Sequence, residues 1–227
     1  MFASGIILAA GSSTRFGEDK LMQVLPTGKT VLEECISKFV DSKVFSELIL
    51  VNNPKRDLTS QLWLNKLNVK IVSGGGLRQE SAFCGIKATS VNSEILCIHD
   101  AARPFVSIPL IKECVSKAEH FGACIPVLKV TDTIKEVANE KVTKTLNRDV
   151  LFKVQTPQSF LKDKYLKAHK EFANKGVFSD DAGLFELAGF AVHTIKGEER
   201  NIKITTKEDM LFANFIIQSQ KRSILSL

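Results

Sequence analysis

Blocks of apolar residues alternate with blocks of helical period along most of this chain. "GIILAA" is a short continuous apolar run, as expected of a buried strand. "TVLEECISKFV" follows, with Leu32, Cys35, Ile36 and Phe39 at helical spacing. "ELILVNN" reads as a strand, "TSQLWLNKL" as a short helix, and "VKIVSGGG" as a strand running into glycines. "RQESAFCGIKA" is helical, "EILCIHDAARP" is a strand ending in an acid, and "IPLIKECVSKAEHFG" is a helix stopped by glycine. This alternation predicts an α/β fold, a mostly parallel sheet with helices on both faces. Ligands of such folds gather at the carboxyl ends of the strands. "AAGSSTR", "SGGGLRQES" and "HDAARP" fall at those ends.

The pattern changes after Pro126. "VLKVTDTIKEV", a short "ANE" turn and "KVTKTLNR" read as two extended arms of a β-hairpin. Val, Thr and Lys alternate there with little to fill a core, so the segment at about 129–150 is expected to protrude and contact a partner. Alternation then resumes. "LKDKYLKAHKEFANKG" and "SDDAGLFELAG" read as helices, and "FAVHTIKG" and "NIKIT" as short strands. "TKEDMLFANFIIQSQKR" reads as an amphipathic helix with Met210, Leu211, Phe215 and Ile216 among its apolar positions. There is no repeat or long linker, which favours one domain over residues 1–227.

Composition narrows the class. At 44% hydrophobic residues the chain is no disordered polymer, and no apolar run approaches the roughly 20 residues that span a bilayer. The N-terminus lacks the order of a signal peptide, so a cytoplasmic location is expected. The five cysteines, Cys35, Cys84, Cys97, Cys114 and Cys124, are scattered and never form a CxxC pair. They read as small buried hydrophobes rather than disulfide or zinc ligands. The net charge of +6 points to an anionic ligand. With no dense basic run interleaved with aromatics, that ligand is expected to be a phosphorylated metabolite and not nucleic acid.

The first loop has the chemistry of a phosphate cradle. Ala9, Ala10 and Gly11 let backbone N–H groups approach an anion closely, and Arg15 and Lys20 bring two cations. The spelling is neither a P-loop nor a dinucleotide fingerprint. Gly74, Gly75 and Gly76 leave room for a planar base, with Ser81 facing the same crevice from a helix start. Asp100 closes an apolar strand, where a carboxylate needs a partner; Mg²⁺, held by one or two carboxylates plus substrate phosphates, is the natural one. Arg103 stands three residues on, suited to an anion or to pairing with Asp100. His99 reads as a packed residue. Asp180 and Asp181 read as a helix start. Lys203 within "NIKIT" is odd for a core and sensible for an anion site.

Taken together, "LAAGSSTRFG", "GGGLRQESAFCGI", "HDAARPF", "DTIKEV", "LNRDVL", "QTPQSF" and "NIKIT" resemble, in order, the 2-C-methyl-D-erythritol 4-phosphate cytidylyltransferases. The resemblance implies a Rossmann-like nucleotidyltransferase fold, a homodimer joined through the hairpin arm, and Mg²⁺. It implies transfer of the cytidylyl group of CTP to a polyol phosphate with release of pyrophosphate, in the non-mevalonate isoprenoid pathway. Under it, Arg15 and Lys20 act at the α-phosphate. Ala9, Ala10, Gly11, the glycines 74 and 75, and Ser81 hold cytidine, and Asp100 sits beside ribose and metal. Arg103, Thr133, Arg148, Thr156 and Lys203 form the polyol-phosphate site, with Arg148 and Lys203 on the attacking phosphate. Thr133 and Arg148 would reach the site from a neighbouring subunit. The segment "RFGEDKLMQ" departs from the family's usual Pro-Lys-Gln, and Gly76 replaces a common acidic residue. A ribitol 5-phosphate cytidylyltransferase, a molybdopterin-type cytidylyltransferase and a catalytically silent nucleotide-binding module are the competing readings.

Overall fold

A computed structural model describes residues 1–225, with side chains as far as position 219. Strands β1 (Ala3–Ala9), β2 (Glu47–Asn52), β3 (Val69–Ser73) and β4 (Ile95–Asp100) lie parallel in the order β3-β2-β1-β4. The sheet continues through β9 (Gln158–Leu161), β5 (Ala123–Lys129) and β10 (His193–Lys196), and β8 (Phe152–Val154) pairs with β5. Only β9 and β8 run antiparallel to their neighbours. The expected mostly parallel sheet is present. The chain steps from β1 to β2 and β3 on one side, then back to β4 on the other. That reversal opens a crevice at the carboxyl ends of β1 and β4.

Helices cover both faces because each central strand buries both of its side-chain sets. In β2, Leu48 and Leu50 join the core under α1 (Val31–Ser42) and α3 (Ile108–Phe121). Ile49 and Val51 join the one under α2 (Arg78–Lys87), α4 (Lys162–Phe172) and α5 (Ala182–Leu187). Leu32, Cys35, Ile36 and Phe39 of α1 are all buried, as their spacing predicts. Each such fully buried aliphatic or aromatic side chain contributes about 1.5–3 kcal/mol. Thr30 starts α1 by accepting from the Glu33 N–H at 3.1 Å, and Ser107 starts α3 by accepting from Leu110 N–H at 3.1 Å. Gly122, at φ +97°, ends α3. Four of the cysteines are buried, Cys84 is half-buried, and all five are free thiols.

The hairpin is where the alternation placed it. Strands β6 (Lys135–Ala138) and β7 (Lys141–Thr145) form a separate two-stranded sheet, and every residue from 135 to 145 is exposed. Asn139 and Glu140 close it with φ of +49° and +63°, the left-handed pair that matches strand twist in a two-residue turn.

Three expectations are corrected. "TSQLWLNKL" contains only a 3₁₀ turn at Leu64–Lys66, because its apolar positions are too few to anchor a longer helix. "NIKIT" is no strand. It runs without regular structure, tied by Ile204 N–H donating to the Ala102 carbonyl at 2.8 Å. The last helix, α6 (Lys207–Leu225), exists, but the faces differ from the reading. Met210, Ala213 and Ile217 pack on the core, while Leu211 and Phe215 are exposed along with Phe212. Positions 210, 213 and 217 share one helical stripe. The small Ala213 marks it less visibly than the large residues beside it.

Candidate active site

A cleft of about 680 Å³ opens at the carboxyl ends of β1, β3 and β4. Four cationic side chains line it, Arg15, Lys20, Arg78 and Lys203, against one carboxylate, Asp100. Ala9, Ala10, Gly11, Gly74, Gly75 and Ser81 are also in its wall. The chain therefore brings together in one place most of the residues expected from four separate sequence segments.

The floor owes its shape to small residues. A methyl group at Gly74 would lie 2.3 Å from the Ala10 Cβ and 2.8 Å from Ser81 Oγ. One at Gly75 would lie 2.5 Å from the Glu80 Cβ. The glycines thus let the β3 exit touch both the first loop and the start of α2. Ser81 Oγ fixes that turn by accepting from Gly75 N–H at 3.1 Å. Glu80 accepts from Leu77 N–H at 3.0 Å and closes the first turn of α2, whose free N–H groups lie at the cleft. Ser13, at φ +56°, turns the first loop, and its buried Oγ has no hydrogen-bond partner among the described residues.

Asp100 anchors the charges. Burial raises its pKa, but Arg78 and Lys203 outweigh that and hold the carboxyl well below the usual range. Arg78 Nε donates to Asp100 Oδ1 at 3.3 Å, and Lys203 Nζ donates to Oδ2 at 2.7 Å. Arg78 Nη1 also donates to the buried Asp181 at 2.7 Å, and Tyr165 OH donates to the other Asp181 oxygen at 2.8 Å. One guanidinium thus bridges the cleft carboxylate and a second carboxylate beneath it, while its Nη2 has no partner among the described residues. Lys20 is held in a different balance. Burial lowers its pKa first, and the nearby cations Lys203 and Arg15 add to the effect.

Arg78 was not singled out in the sequence. The signal was present, in a cation at the first turn of a helix that follows a glycine run, but nothing local shows that its partners are Asp100 and Asp181. Asp181 does more than begin α5. It is buried, and its N–H donates to Gln158 at 3.1 Å.

Four expected site residues are absent from the cleft wall. Arg103 makes no hydrogen bond to Asp100; its Nη1 donates to the Asn201 carbonyl at 2.8 Å, bracing the segment that carries Lys203. Thr156 is buried. Its Oγ1 accepts from the Asp100 N–H at 3.1 Å and lies 2.9 Å from His99 Nδ1. The Arg103 carbonyl, 3.0 Å from Nε2, can only accept, so neutral His99 carries its proton on Nε2, and its bare Nδ1 accepts from the Thr156 hydroxyl. His99 is the packed residue expected, and burial pushes its pKa down to about 4. Thr133 and Arg148 sit exposed beside the hairpin, with Arg148 Nη1 donating to the Thr131 carbonyl at 2.7 Å.

Known proteins resemble this chain over almost its whole length. The family profile of 2-C-methyl-D-erythritol 4-phosphate cytidylyltransferase (IspD) matches residues 4–219. This chain belongs to that family. A relative of that name from Dictyoglomus thermophilum is 38% identical over 225 residues, covering 96% of this chain and 97% of its own. Another, from Geobacillus thermodenitrificans, is 38% identical and covers 95% and 96%. Among solved structures, the 4-diphosphocytidyl-2C-methyl-D-erythritol synthase of Anaerococcus prevotii superposes with a TM-score of 0.85 at 34% identity, covering 96% of this chain and 98% of its own. The Thermus thermophilus cytidylyltransferase superposes at 0.81 with 32% identity, over 96% and 100%. These matches support the nucleotidyltransferase fold expected from the resemblance, and that fold carries the cleft described above.

Proposed function

We propose that the chain transfers the cytidylyl group of CTP to 2-C-methyl-D-erythritol 4-phosphate, giving 4-diphosphocytidyl-2-C-methyl-D-erythritol and pyrophosphate. The observation that carries this reading is the charge of the cleft, four cations around a single ionised carboxylate at a sheet reversal. Such a wall suits a polyanion. Family membership supplies the identity of the two substrates.

The chemistry asks little of proton transfer. A phosphate monoester is anionic near neutral pH and attacks the α-phosphorus in line, opposite the departing pyrophosphate. The difficulty is repulsion between two anions and their alignment. Arg15 offers a forked donor pair and Lys20 a point charge to the α-phosphate, stabilising charge that builds as the bonds change. Ala10, Gly11 and the glycine turn leave backbone N–H groups open to the triphosphate and base. His99 serves no general-base role, since both of its nitrogens are engaged inside the fold.

Asp100 is the residue that would hold Mg²⁺. The donor set suits this ion, which takes one or two carboxylates and completes its shell with substrate phosphates. Among the described residues no group of three His, Cys, Asp or Glu side chains is arranged for a metal, so the phosphates would complete the shell here. When bound, the ion supplies positive charge to the triphosphate. Lys203, whose side chain is 40% exposed, then has room to leave Asp100 for the attacking phosphate. The reading also makes the protein a homodimer in which the arm carries Thr133 and Arg148 into a partner's cleft. Their exposure and their absence from their own chain's cleft wall support that reading. Among the described residues no helix is long and apolar enough to cross a membrane, and a cytoplasmic location belongs to the same proposed reading.

The test is pyrophosphate release from CTP and Mg²⁺ with each of two acceptors, 2-C-methyl-D-erythritol 4-phosphate and ribitol 5-phosphate. Turnover with the first is expected. Turnover with ribitol 5-phosphate alone overturns the acceptor, and CTP binding without release from either overturns the enzyme.

A further inference from the structure

Lys20 makes no hydrogen bond or ion pair through its amine among the described residues, and Lys203 and Arg15 each repel it more strongly than Asp100 or Asp209 attracts it. Before the substrate arrives, this balance pushes the Lys20 amine away from its neighbouring cations, so its aim depends on how the segment that carries it is held.

Asp19 and Arg56 stand behind that segment. Neither lines the main cleft; both lie in a separate hollow on the outer side of the first loop. Arg56 has a side chain only 6% exposed, and it forks onto Asp19, Nε to Oδ2 at 2.5 Å and Nη2 to Oδ1 at 3.0 Å. Its remaining nitrogen, Nη1, donates to Asn52 Oδ1 at 3.0 Å and to the carbonyl of Ala9 at 2.5 Å. One guanidinium therefore ties the end of β1, the end of β2 and the exit of the first loop. Asp19 carries the restraint forward. Its Oδ1 accepts from Leu21 N–H at 3.2 Å and caps the 3₁₀ turn Lys20–Met22. Leu21 is buried in the core. Lys20 is thus pinned between a capped residue before it and an anchored residue after it.

We propose that the Asp19–Arg56 pair is a positioning clamp for Lys20, resisting the repulsion among the cleft cations and aiming the amine before CTP arrives. This rests on the reading that Lys20 acts at the α-phosphate. Neither Asp19 nor Arg56 touches the reacting atoms, so both act through Lys20. Misplacing a charge by about 1 Å costs on the order of 10²-fold in rate, and the paired, bidentate geometry makes Arg56→Lys a poor substitute.

The experiment is a double-mutant cycle in the full-length protein, with kcat and the KM for CTP measured for the parent, Asp19→Asn, Lys20→Ala and the double variant. Arg56→Gln is measured beside them. Asp19→Asn keeps an acceptor for Leu21 N–H and loses the ion pair. The Asp19 side chain is 36% exposed, so this variant is the one least exposed to a folding defect, which a thermal melt checks. The expected result is a fall in kcat of about 10- to 100-fold for Asp19→Asn with the KM for CTP within about twofold. In the Lys20→Ala background the same change has no further effect, because nothing remains to be positioned. Equal losses in both backgrounds, or unchanged kcat in Asp19→Asn, overturn the clamp and leave the role of Lys20 standing. Full activity of Lys20→Ala overturns that role itself, and the clamp with it.

Discussion

At the scale of single residues, the decisive property is which ionisable groups the fold leaves charged. Lys20 is proposed to act as a cation at the α-phosphate, yet burial and two neighbouring cations lower its pKa from the ordinary 10.5. Its proton is therefore lost at lower pH than that of an exposed lysine. The rate should fall on the alkaline side correspondingly early, and Lys20→Arg should move that limb upward, since a guanidinium stays charged there. The pH profile of kcat/KM for CTP reads this directly, because it reports the free enzyme. His99 makes the opposite case. Its folded pKa of about 4 lies below the unfolded value near 6.5. Below pH 6.5 the unfolded chain binds a proton that the folded one refuses. The stability due to neutral His99 is thus whole above pH 6.5 and declines as pH falls toward 4, by about 1 kcal/mol per pH unit. Denaturant titrations from pH 7 to 4 should show that slope, and His99→Gln should flatten it. A slope that survives the substitution assigns it to other groups.

At the scale of elements, the cleft is a meeting of strand exits that large side chains would keep apart. Gly74→Ala would drive a methyl group into the Ala10 Cβ, an atom fixed by backbone on both sides. Relief requires the β3 exit and the first loop to separate. The expected cost is about 1–3 kcal/mol of stability, as for other overpacked sites, with a weaker KM for CTP. Thermal unfolding and CTP titration of one sample measure both. A variant that melts and binds like the parent would mean that the glycine turn is not what joins these loops. The hairpin is the contrasting element. Its alternation of Val, Thr and Lys has no core to face, and its residues 135–145 are exposed throughout. The two left-handed residues at its tip make it a self-closing unit.

At the scale of the whole molecule, the proposed sharing of the arm makes a distinctive prediction. Arg148→Ala removes the cation that the arm is proposed to carry into the partner's cleft, and Lys20→Ala removes one of that cleft's own cations. Each alone should lose about 10²–10³ in turnover. A mixture allowed to exchange subunits forms mixed dimers in which one of the two sites is intact. Activity should return to about a quarter of the parent's for random pairing of equal amounts. The measurement is turnover of the mixture against each component. No recovery after demonstrated exchange removes the shared site.

The order of elements, the burial of α1, the position of the hairpin and the loops at the strand ends were legible in the sequence. All of these depend on local period and on turn residues, which act over a few positions. The strand-end rule already gathered the loops of Arg15, Lys20, Gly74, Ser81 and Asp100, whereas adding Lys203 to them rested on resemblance, since positions nearly two hundred residues apart carry no local signal of contact. Tertiary structure decided the partners. It gave Asp100 to Arg78 and Lys203 rather than Arg103, turned Thr156 toward His99, and set Arg56 behind Asp19. The physical reason is range. Hydrophobic period follows from neighbours in sequence, whereas the pairing of a buried charge follows from whichever opposite charge the packed sheet brings within hydrogen-bonding distance.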